Sequence, residues 1–311
     1  MPAPWHDIDM RSPDQVIAAL HAGAHASLHA ATRQGSIDVV APTDAHAILT
    51  GDLHDNPVGL DVVSAAAGLP GQDVGATPRA HLVLHEVIHS GRLIHGLDLS
   101  YRSLVRVAAL KAAYPEHVHF LLANHELSQI AGAGIVKDGV SVVEAFNDGV
   151  AYVFGSAAAA VTEAINAFVR ALPLAVRFRD AAQTLAGAPR DMLCAHSLPG
   201  DDRIDLFDTS ILQRHTTAED YTPRQGSAYL MVWGRNHSPG LLTRLGELWG
   251  VGCFVLGHEK ADDGALLRAP NVVILNSDHA NGVYAEVALR EGNSPDRVKS
   301  SCVRFVGRAQ D

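Results

Sequence analysis

Ala47-Ile48-Leu49-Thr50-Gly51-Asp52-Leu53-His54 is an apolar run that stops at a glycine and hands over to two side chains able to bind a metal. Residues 47–50 have strand composition, and Gly51 punctuates the run. Asp52 and His54 stand two apart, so in extended backbone both point to one side and can chelate one ion. Outward along the chain the arrangement recurs. Phe120-Leu121-Leu122 precedes Asn124-His125-Glu126, Met192-Leu193-Cys194 precedes Ala195-His196-Ser197, and Phe254-Val255-Leu256 precedes Gly257-His258-Glu259. Asp, His and Asn delivered from several strand ends suit a pair of hard-to-borderline metal ions. One such block is common by chance; four in order, each behind a strand, are a strong signal.

Asn124 supplies a neutral oxygen ligand, and His196 and His258 supply imidazoles. With one bridging carboxylate the set can hold two ions ~3.5–4 Å apart. Such a pair polarises a phosphoryl group and lowers the pKa of a shared water, giving a hydroxide nucleophile near neutral pH. His125, beside the ligand Asn124, is the candidate general acid for a leaving alkoxide. Glu126 is the candidate carboxylate that orients a nearby His or Arg.

The remaining sequence frames these blocks. Helices are expected at about 12–33, 57–68, 99–113 and 239–249, and strands at 81–86, 117–122, 174–179, 191–195, 228–233, 252–256, 271–275, 282–288 and 301–306. A Gly/Pro loop occupies 69–79, and Tyr114-Pro115 ends the third-named helix, because proline cannot continue it. The alternation of strand and helix in the first half predicts a parallel core sheet with ligands at strand C-termini. The strand-rich tail predicts a second, more antiparallel sheet. Residues 1–311 read as a single domain, with 1–44 as a helical extension and the Ala-rich stretch 127–172 as a helical insertion or cap.

Composition narrows the function classes. The 311 residues carry 24 basic and 34 acidic side chains, a net charge of −10 that disfavours non-specific binding to nucleic acid or anionic membranes. The 3 cysteines lie in apolar stretches without framework spacing, which predicts free thiols and a reducing, cytoplasmic compartment. No basic-then-apolar leader opens the chain and no apolar run approaches ~20 residues, so neither a signal peptide nor a membrane span is expected. Of the 18 histidines, His21, His25 and His29 recur every fourth residue on the first helix and are expected to form a solvated stripe.

The chain resembles the calcineurin-like metallophosphoesterases, and within them the PPP-type serine/threonine protein phosphatases and their bacterial relatives. The resemblance spans roughly residues 45–290. It is carried by Gly51-Asp52-Leu53-His54, Leu121-Leu122-Ala123-Asn124-His125-Glu126, Phe168-Val169-Arg170-Ala171-Leu172-Pro173-Leu174, Leu193-Cys194-Ala195-His196 and Val255-Leu256-Gly257-His258-Glu259. It implies a four-layer α/β/β/α sandwich of two mixed sheets with a dinuclear site at the strand ends. It also implies hydrolysis of a phosphomonoester, either a small phosphoester or a phosphoprotein, by two ions drawn from Mn, Fe, Zn, Co or Ni. By resemblance Asp52 and His54 serve one ion, Asn124, His196 and His258 the other, and His125 is the acid.

One family block departs from its pattern. Where the family carries Gly-Asp-x-x-Asp-Arg-Gly, this chain has His85-Glu86-Val87-Ile88-His89-Ser90-Gly91. By resemblance Glu86 falls on the bridging Asp and becomes the sixth metal ligand. His89 falls on the Asp that orients His125, and Ser90 on the Arg that clamps phosphate. Losing that guanidinium removes a bidentate, charge-assisted contact. Arg235, after Val232-Trp233-Gly234, is the candidate replacement, and with His89 makes up the candidate substrate-binding set. Two other readings follow from this block. The altered motif suits a catalytically impaired metal-binding scaffold of the same fold. His85-Glu86-x-x-His89 is also the zinc-peptidase pattern, which requires a helix with both histidines on one face.

Overall fold

The computed structural model describes residues 3–43, 45–56, 58–69, 78–132, 135–137, 139–180, 191–291 and 294–305. In chain order the first elements are α1 (Pro13–His29), β1 (Arg33–Gln34), β2 (Ile37–Val40), β3 (His46–Asp52), α2 (Gly59–Ala66), β4 (Ala80–His85), α3 (Tyr101–Ala113) and β5 (Val118–Phe120). There follow α4 (Asn124–Ala131), β6 (Val136–Lys137), β7 (Val140–Ser141), α5 (Val142–Phe154), α6 (Ala158–Arg170), β8 (Ala175–Phe178) and β9 (Asp191–Ala195). The chain ends with α7 (Ser227–Trp233), α8 (Pro239–Trp249), β10 (Val251–Leu256), β11 (Ala265–Arg268), β12 (Val272–Leu275), β13 (Val283–Ala288), α9 (Pro295–Ser300) and β14 (Cys302–Arg304).

Two mixed sheets result. The larger has the order β1-β2-β8-β9-β10-β12-β11 and the smaller β14-β13-β3-β4-β5. Within the smaller sheet β3, β4 and β5 are parallel, and β13 and β14 add antiparallel. Within the larger, β9, β10 and β12 are parallel. Alternation along each strand divides its side chains between two apolar clusters. Ala47 and Leu49 of β3, Val83 of β4, Cys194 of β9, and Cys253 and Val255 of β10 share one apolar cluster between the sheets. Their neighbours Ile48, Leu82, Leu84, Leu193, Phe254 and Leu256 join the other cluster, with the helices. The helices α2 and α3 pack on the smaller sheet and α8 packs on β10. Each Val, Leu, Ile or Phe side chain so buried contributes ~1.5–3 kcal/mol.

Helix starts follow the local sequence. Ser12-Pro13 and Ser238-Pro239 each place a serine hydroxyl on the N–H three residues on and a proline in the first turn. The helix α3 ends at Ala113, just before Tyr114-Pro115. His25 and His29 lie stacked and exposed on α1, as a solvated stripe should.

A buried polar network ties the layers together. Asp38 of β2, fully buried, meets Arg33 Nε at 2.9 Å, His119 Nδ1 at 2.8 Å and Lys111 Nζ at 3.7 Å. Arg33 and Asp38 belong to the larger sheet, whereas His119 is on β5 and Lys111 on α3 of the smaller-sheet side.

Several expectations need correction. Residues 228–233 are helical, as part of α7, because a short apolar run has no period long enough to separate helix from strand. The extension 1–44 is not wholly helical: β2 pairs in parallel with β8 inside the larger sheet. The tail does not build a sheet of its own. Its strands β10, β11 and β12 complete the larger sheet, while β13 and β14 edge the smaller. Of the expected Gly/Pro loop 69–79, residues 70–77 lie outside the described residues. The stretch Val142–Arg170 is, contrary to the reading of the apolar runs, long and apolar enough to cross a membrane by length and composition. It is interrupted by a tight turn at Gly155–Ala157, and α6 packs against α1, burying Val161, Ala164, Ile165, Phe168 and Val169.

Candidate active site

The strands β3, β4 and β5 of the smaller sheet and β9 and β10 of the larger end at one place. Asp52 closes β3 and lies in register with His85, the last residue of β4. Asn124 opens α4 soon after β5, His196 follows β9, and His258 follows β10 by way of Gly257. The backbone turns sharply at these ends. His54, Glu86, His89 and His258 have φ of 42°, 39°, 60° and 66°. Left-handed backbone costs an ordinary residue ~1–2 kcal/mol, and such strain persists where neighbours over-determine it. Here the N–H groups of Leu53 and His54 both donate to the Glu86 carbonyl, at 3.0 and 2.8 Å, and Asp55 N–H donates to the Val87 carbonyl at 3.0 Å. The first and second blocks are thereby locked together.

Glu86 sits at the centre. Its Oε1 lies 2.9 Å from His54 Nε2 and 3.9 Å from His125 Nε2, while its Oε2 lies 3.2 Å from His196 Nε2. Two donor groups flank it: His54, Glu86 and His125 on one side, Asp52, His85 and His196 on the other, each with ligand atoms within 4.8 Å of one another. On the second side His196 Nε2 also stands 2.6 Å from Asn124 Oδ1 and 3.1 Å from His258 Nδ1, and those two atoms are 3.0 Å apart. Four polar atoms thus crowd together, and Glu86 Oε2, His196 Nδ1 and His258 Nε2 are left buried without a hydrogen-bond partner. A cation answers that convergence, so the donor set fits two metal ions. Among the described residues, all six expected metal ligands belong to this assembly, but the expected pairing of Asp52 with His54 on one ion needs correction: after the left-handed turn at His54 that ring groups with Glu86 and His125, and Asp52 with His85 and His196.

Charge distribution agrees with the geometry. Burial and the Glu86 charge push Asp52 up to about 6. Burial works to raise Glu86 as well, but His125, His54 and His196 together hold it well below the usual carboxylate range. Burial pushes His125 and His85 down to about 3. His196 is raised, because Glu86 and Asp52 outweigh its desolvation. Gly257 is required here: a Cβ would stand 2.4 Å from Asp52 Oδ1, which itself accepts the His258 N–H at 3.0 Å.

His89 does not reach outward toward a substrate; it faces His125. Its Nδ1 meets His125 Nδ1 at 3.0 Å and its Nε2 meets Gln129 Oε1 at 3.0 Å. Gln129 Nε2 donates to Asn147 Oδ1 at 2.7 Å, so Gln129 Oε1 is left to accept from His89 Nε2–H. The His89 Nδ1 lone pair then accepts from His125 Nδ1–H, and His125 Nε2 points toward Glu86. A neutral relay stands where a carboxylate was expected to orient His125. Glu126 has a different task from orienting a His or Arg. Its Oε1 accepts the N–H groups of Val87 and Ile88 at 2.9 and 3.3 Å, clamping the turn after Glu86.

The rim holds the remaining candidates. Ser90 accepts the Arg92 N–H, and Arg92 Nη2 donates to the His54 carbonyl at 2.6 Å and to Asp278 at 3.1 Å. Arg235 lines a cavity of about 280 Å³ with Arg203, Arg224, Tyr229 and Trp233. The Trp233 ring lies edge-on to His258 with centroids 6.2 Å apart, so this cavity opens beside the metal side of the site. The reading of the sequence missed His85, Gln129, Asn147 and Arg92. His85 was visible only as half of the zinc-peptidase pattern, and Gln129 one turn beyond His125 was the available signal for the relay. The zinc-peptidase reading itself fails: the chain leaves β4 at His85, no helix runs from His85 to His89, and the two rings serve different partners.

No protein-family model and no curated protein matches the chain. Solved structures do. A protein serine/threonine phosphatase from Saccharomyces cerevisiae, described as similar to human phosphatase PP5, aligns with TM-score 0.65 at 14% identity over 96% of this chain and 92% of its own. A cold-active protein-tyrosine phosphatase of a psychrophilic Shewanella aligns with TM-score 0.51 at 12% identity over 81% of this chain and 78% of its own. With its two mixed sheets and its strand-end cluster of His, Asp, Glu and Asn, the chain has a calcineurin-like metallophosphoesterase fold.

Proposed function

We propose that the chain is a metal-dependent phosphoesterase acting on a phosphomonoester. The observation that carries the reading is the meeting of two donor groups at Glu86, with one carboxylate oxygen turned to each. Asp52, His54, Glu86, Asn124, His196 and His258 would hold two ions drawn from Mn, Fe, Zn, Co or Ni. When bound, such a pair polarises the phosphoryl group and lowers the pKa of a water that attacks phosphorus.

The chain's own groups do the rest. His125 presents Nε2 to the centre and, through its Nδ1 contact with His89, keeps one tautomer. Because Nδ1–H is engaged by His89, the proton that Nε2 hands to the leaving oxygen is a second one, carried by the imidazolium form of His125. Glu126 holds the turn that aims Glu86. Arg235 replaces the phosphate clamp absent at Ser90, and the cavity beside His258, with its three arginines, receives the leaving group. That cavity suits a small phosphoester with further negative charge at least as well as a phosphoprotein loop. The free thiols Cys194, Cys253 and Cys302 accord with a cytoplasmic location.

The test is turnover by the metal-loaded chain. Mn-loaded protein should release phenolate from a chromogenic aryl phosphate, and His258→Ala should remove both metal and activity. Two bound ions with no hydrolysis of any phosphoester would leave the scaffold reading instead.

A further inference from the structure

We propose that His85 is a metal ligand, so that Asp52's half of the centre gains a nitrogen donor suited to a borderline divalent cation. The inference rests on the phosphoesterase reading but concerns a residue outside the six ligands assigned above.

Position comes first. His85 ends β4 in register with Asp52 at the end of β3. Residues paired this way on parallel strands stand side by side and point the same way. The ligand atoms of Asp52, His85 and His196 all lie within 4.8 Å of one another. Gly257 marks how close two of them are, since a Cβ there would stand 2.4 Å from Asp52 Oδ1 and 3.4 Å from His85 Nδ1.

Satisfaction comes second. The His85 side chain is fully buried, and neither ring nitrogen has a hydrogen-bond partner. An imidazole always carries polar atoms on both nitrogens, and buried polar groups are almost always paired. The neighbouring His196 Nδ1 is likewise without a hydrogen bond and lies 3.5 Å from Asp52 Oδ1. His89 is engaged by His125 and Gln129 and His54 by Glu86, and His258 has one ring nitrogen paired and one not, so His85 differs in having neither nitrogen paired. A histidine brought to the strand end, stripped of water and aimed at a carboxylate and another imidazole has one chemical use that satisfies it, which is coordination.

The consequence is selectivity. Oxygen-rich sites suit Mg²⁺ and Ca²⁺, whereas imidazole nitrogens shift preference toward Zn²⁺, Co²⁺, Ni²⁺ and Fe²⁺. His85 beside Asp52 adds an imidazole nitrogen that the six-ligand set lacks and moves Asp52's half toward the second class, whereas His196, with one lone pair and its Nε2 turned to Glu86, Asn124 and His258, serves only one ion.

The experiment uses the full chain, stripped of metal and titrated with Co²⁺ and Zn²⁺. Binding is read by elemental analysis after dialysis and by the visible absorption of the Co²⁺ form. The wild type should take up about two ions per chain. His85→Gly and His85→Gln should each lower affinity for one of them by at least tenfold and change the Co²⁺ absorption, with far-ultraviolet circular dichroism unchanged. The Gln variant keeps the side-chain volume and covers the case in which the Gly variant does not fold. Wild-type affinity, stoichiometry and absorption in the Gln variant would overturn the role of His85 and leave the phosphoesterase reading standing. A wild-type chain that takes up neither ion would overturn both.

Discussion

His125 carries the sharpest functional test of any single side chain. Its Nε2 faces Glu86 while His89 holds its Nδ1. Loss of a general acid slows reactions by roughly 10²–10⁴-fold, and the loss is greatest when the leaving group is a poor one. His125→Ala should therefore slow alkyl phosphates far more than a nitrophenyl phosphate, measured as kcat on the two substrates. His89→Ala should show the same leaving-group bias to a smaller degree, because His125 remains but loses its fixed tautomer. Arg235 is tested through affinity. A charge-assisted hydrogen bond is worth about 1.5–3 kcal/mol, so Arg235→Ala should lower kcat/KM by roughly tenfold or more without lowering bound metal. An unchanged kcat/KM would remove Arg235 from the site.

Between elements, close approach and buried charge set the tolerances. Gly257 joins β10 to His258 where no side chain fits against Asp52. Gly257→Ala should displace the Asp52 carboxylate and lower metal stoichiometry, as elemental analysis would show, while the fold is retained. The Asp38 network is a second such point. Although burial acts to raise it, His119, Lys111 and Arg33 hold the Asp38 carboxyl far below its ordinary value. A depressed native pKa means that the unfolded chain binds the extra proton, so this contribution is present above the unfolded carboxylate value of ~3.9 and fades as pH falls below it. Asp38→Asn leaves Lys111 buried without its counter-charge and should cost about 3–5 kcal/mol in denaturant unfolding at neutral pH. The acid limb of the stability curve should flatten in the same variant.

Across the whole molecule the site is a clamp between two sheets. Asp52, His54, Glu86 and Asn124 come from the smaller sheet and its following turns, whereas His196 and His258 come from the larger. Ions held by both should stabilise the native chain by ~4 kcal/mol at a thousandfold excess over Kd. Thermal unfolding should shift upward on adding Mn²⁺ or Co²⁺ and return on adding a chelator; an unmoved transition would show that the ligands do not converge in solution.

What could be read along the chain was whatever is written locally. Strand-like runs ending in Gly51-Asp52, Asn124-His125, His196 and Gly257-His258 announced both the fold class and most of the ligands, because each ligand follows its strand by only a few residues. Ser12-Pro13, Ser238-Pro239 and Tyr114-Pro115 marked helix ends for the same reason. Contacts between distant segments were not legible. The pairing of β2 with β8, the division of the tail between two sheets, and the helix at 227–233 depend on packing partners remote in sequence. Of the two readings of His85-Glu86-x-x-His89, the zinc-peptidase one was the weaker in the sequence, since it explained one block where the phosphoesterase reading explained five in order. Only the tertiary structure excluded it, because the register of β4 with β3 sets His85 beside Asp52 and turns His89 toward His125. Ligand types and their order belong to local sequence; which side chains meet is decided by strand register, a property of the assembled sheet.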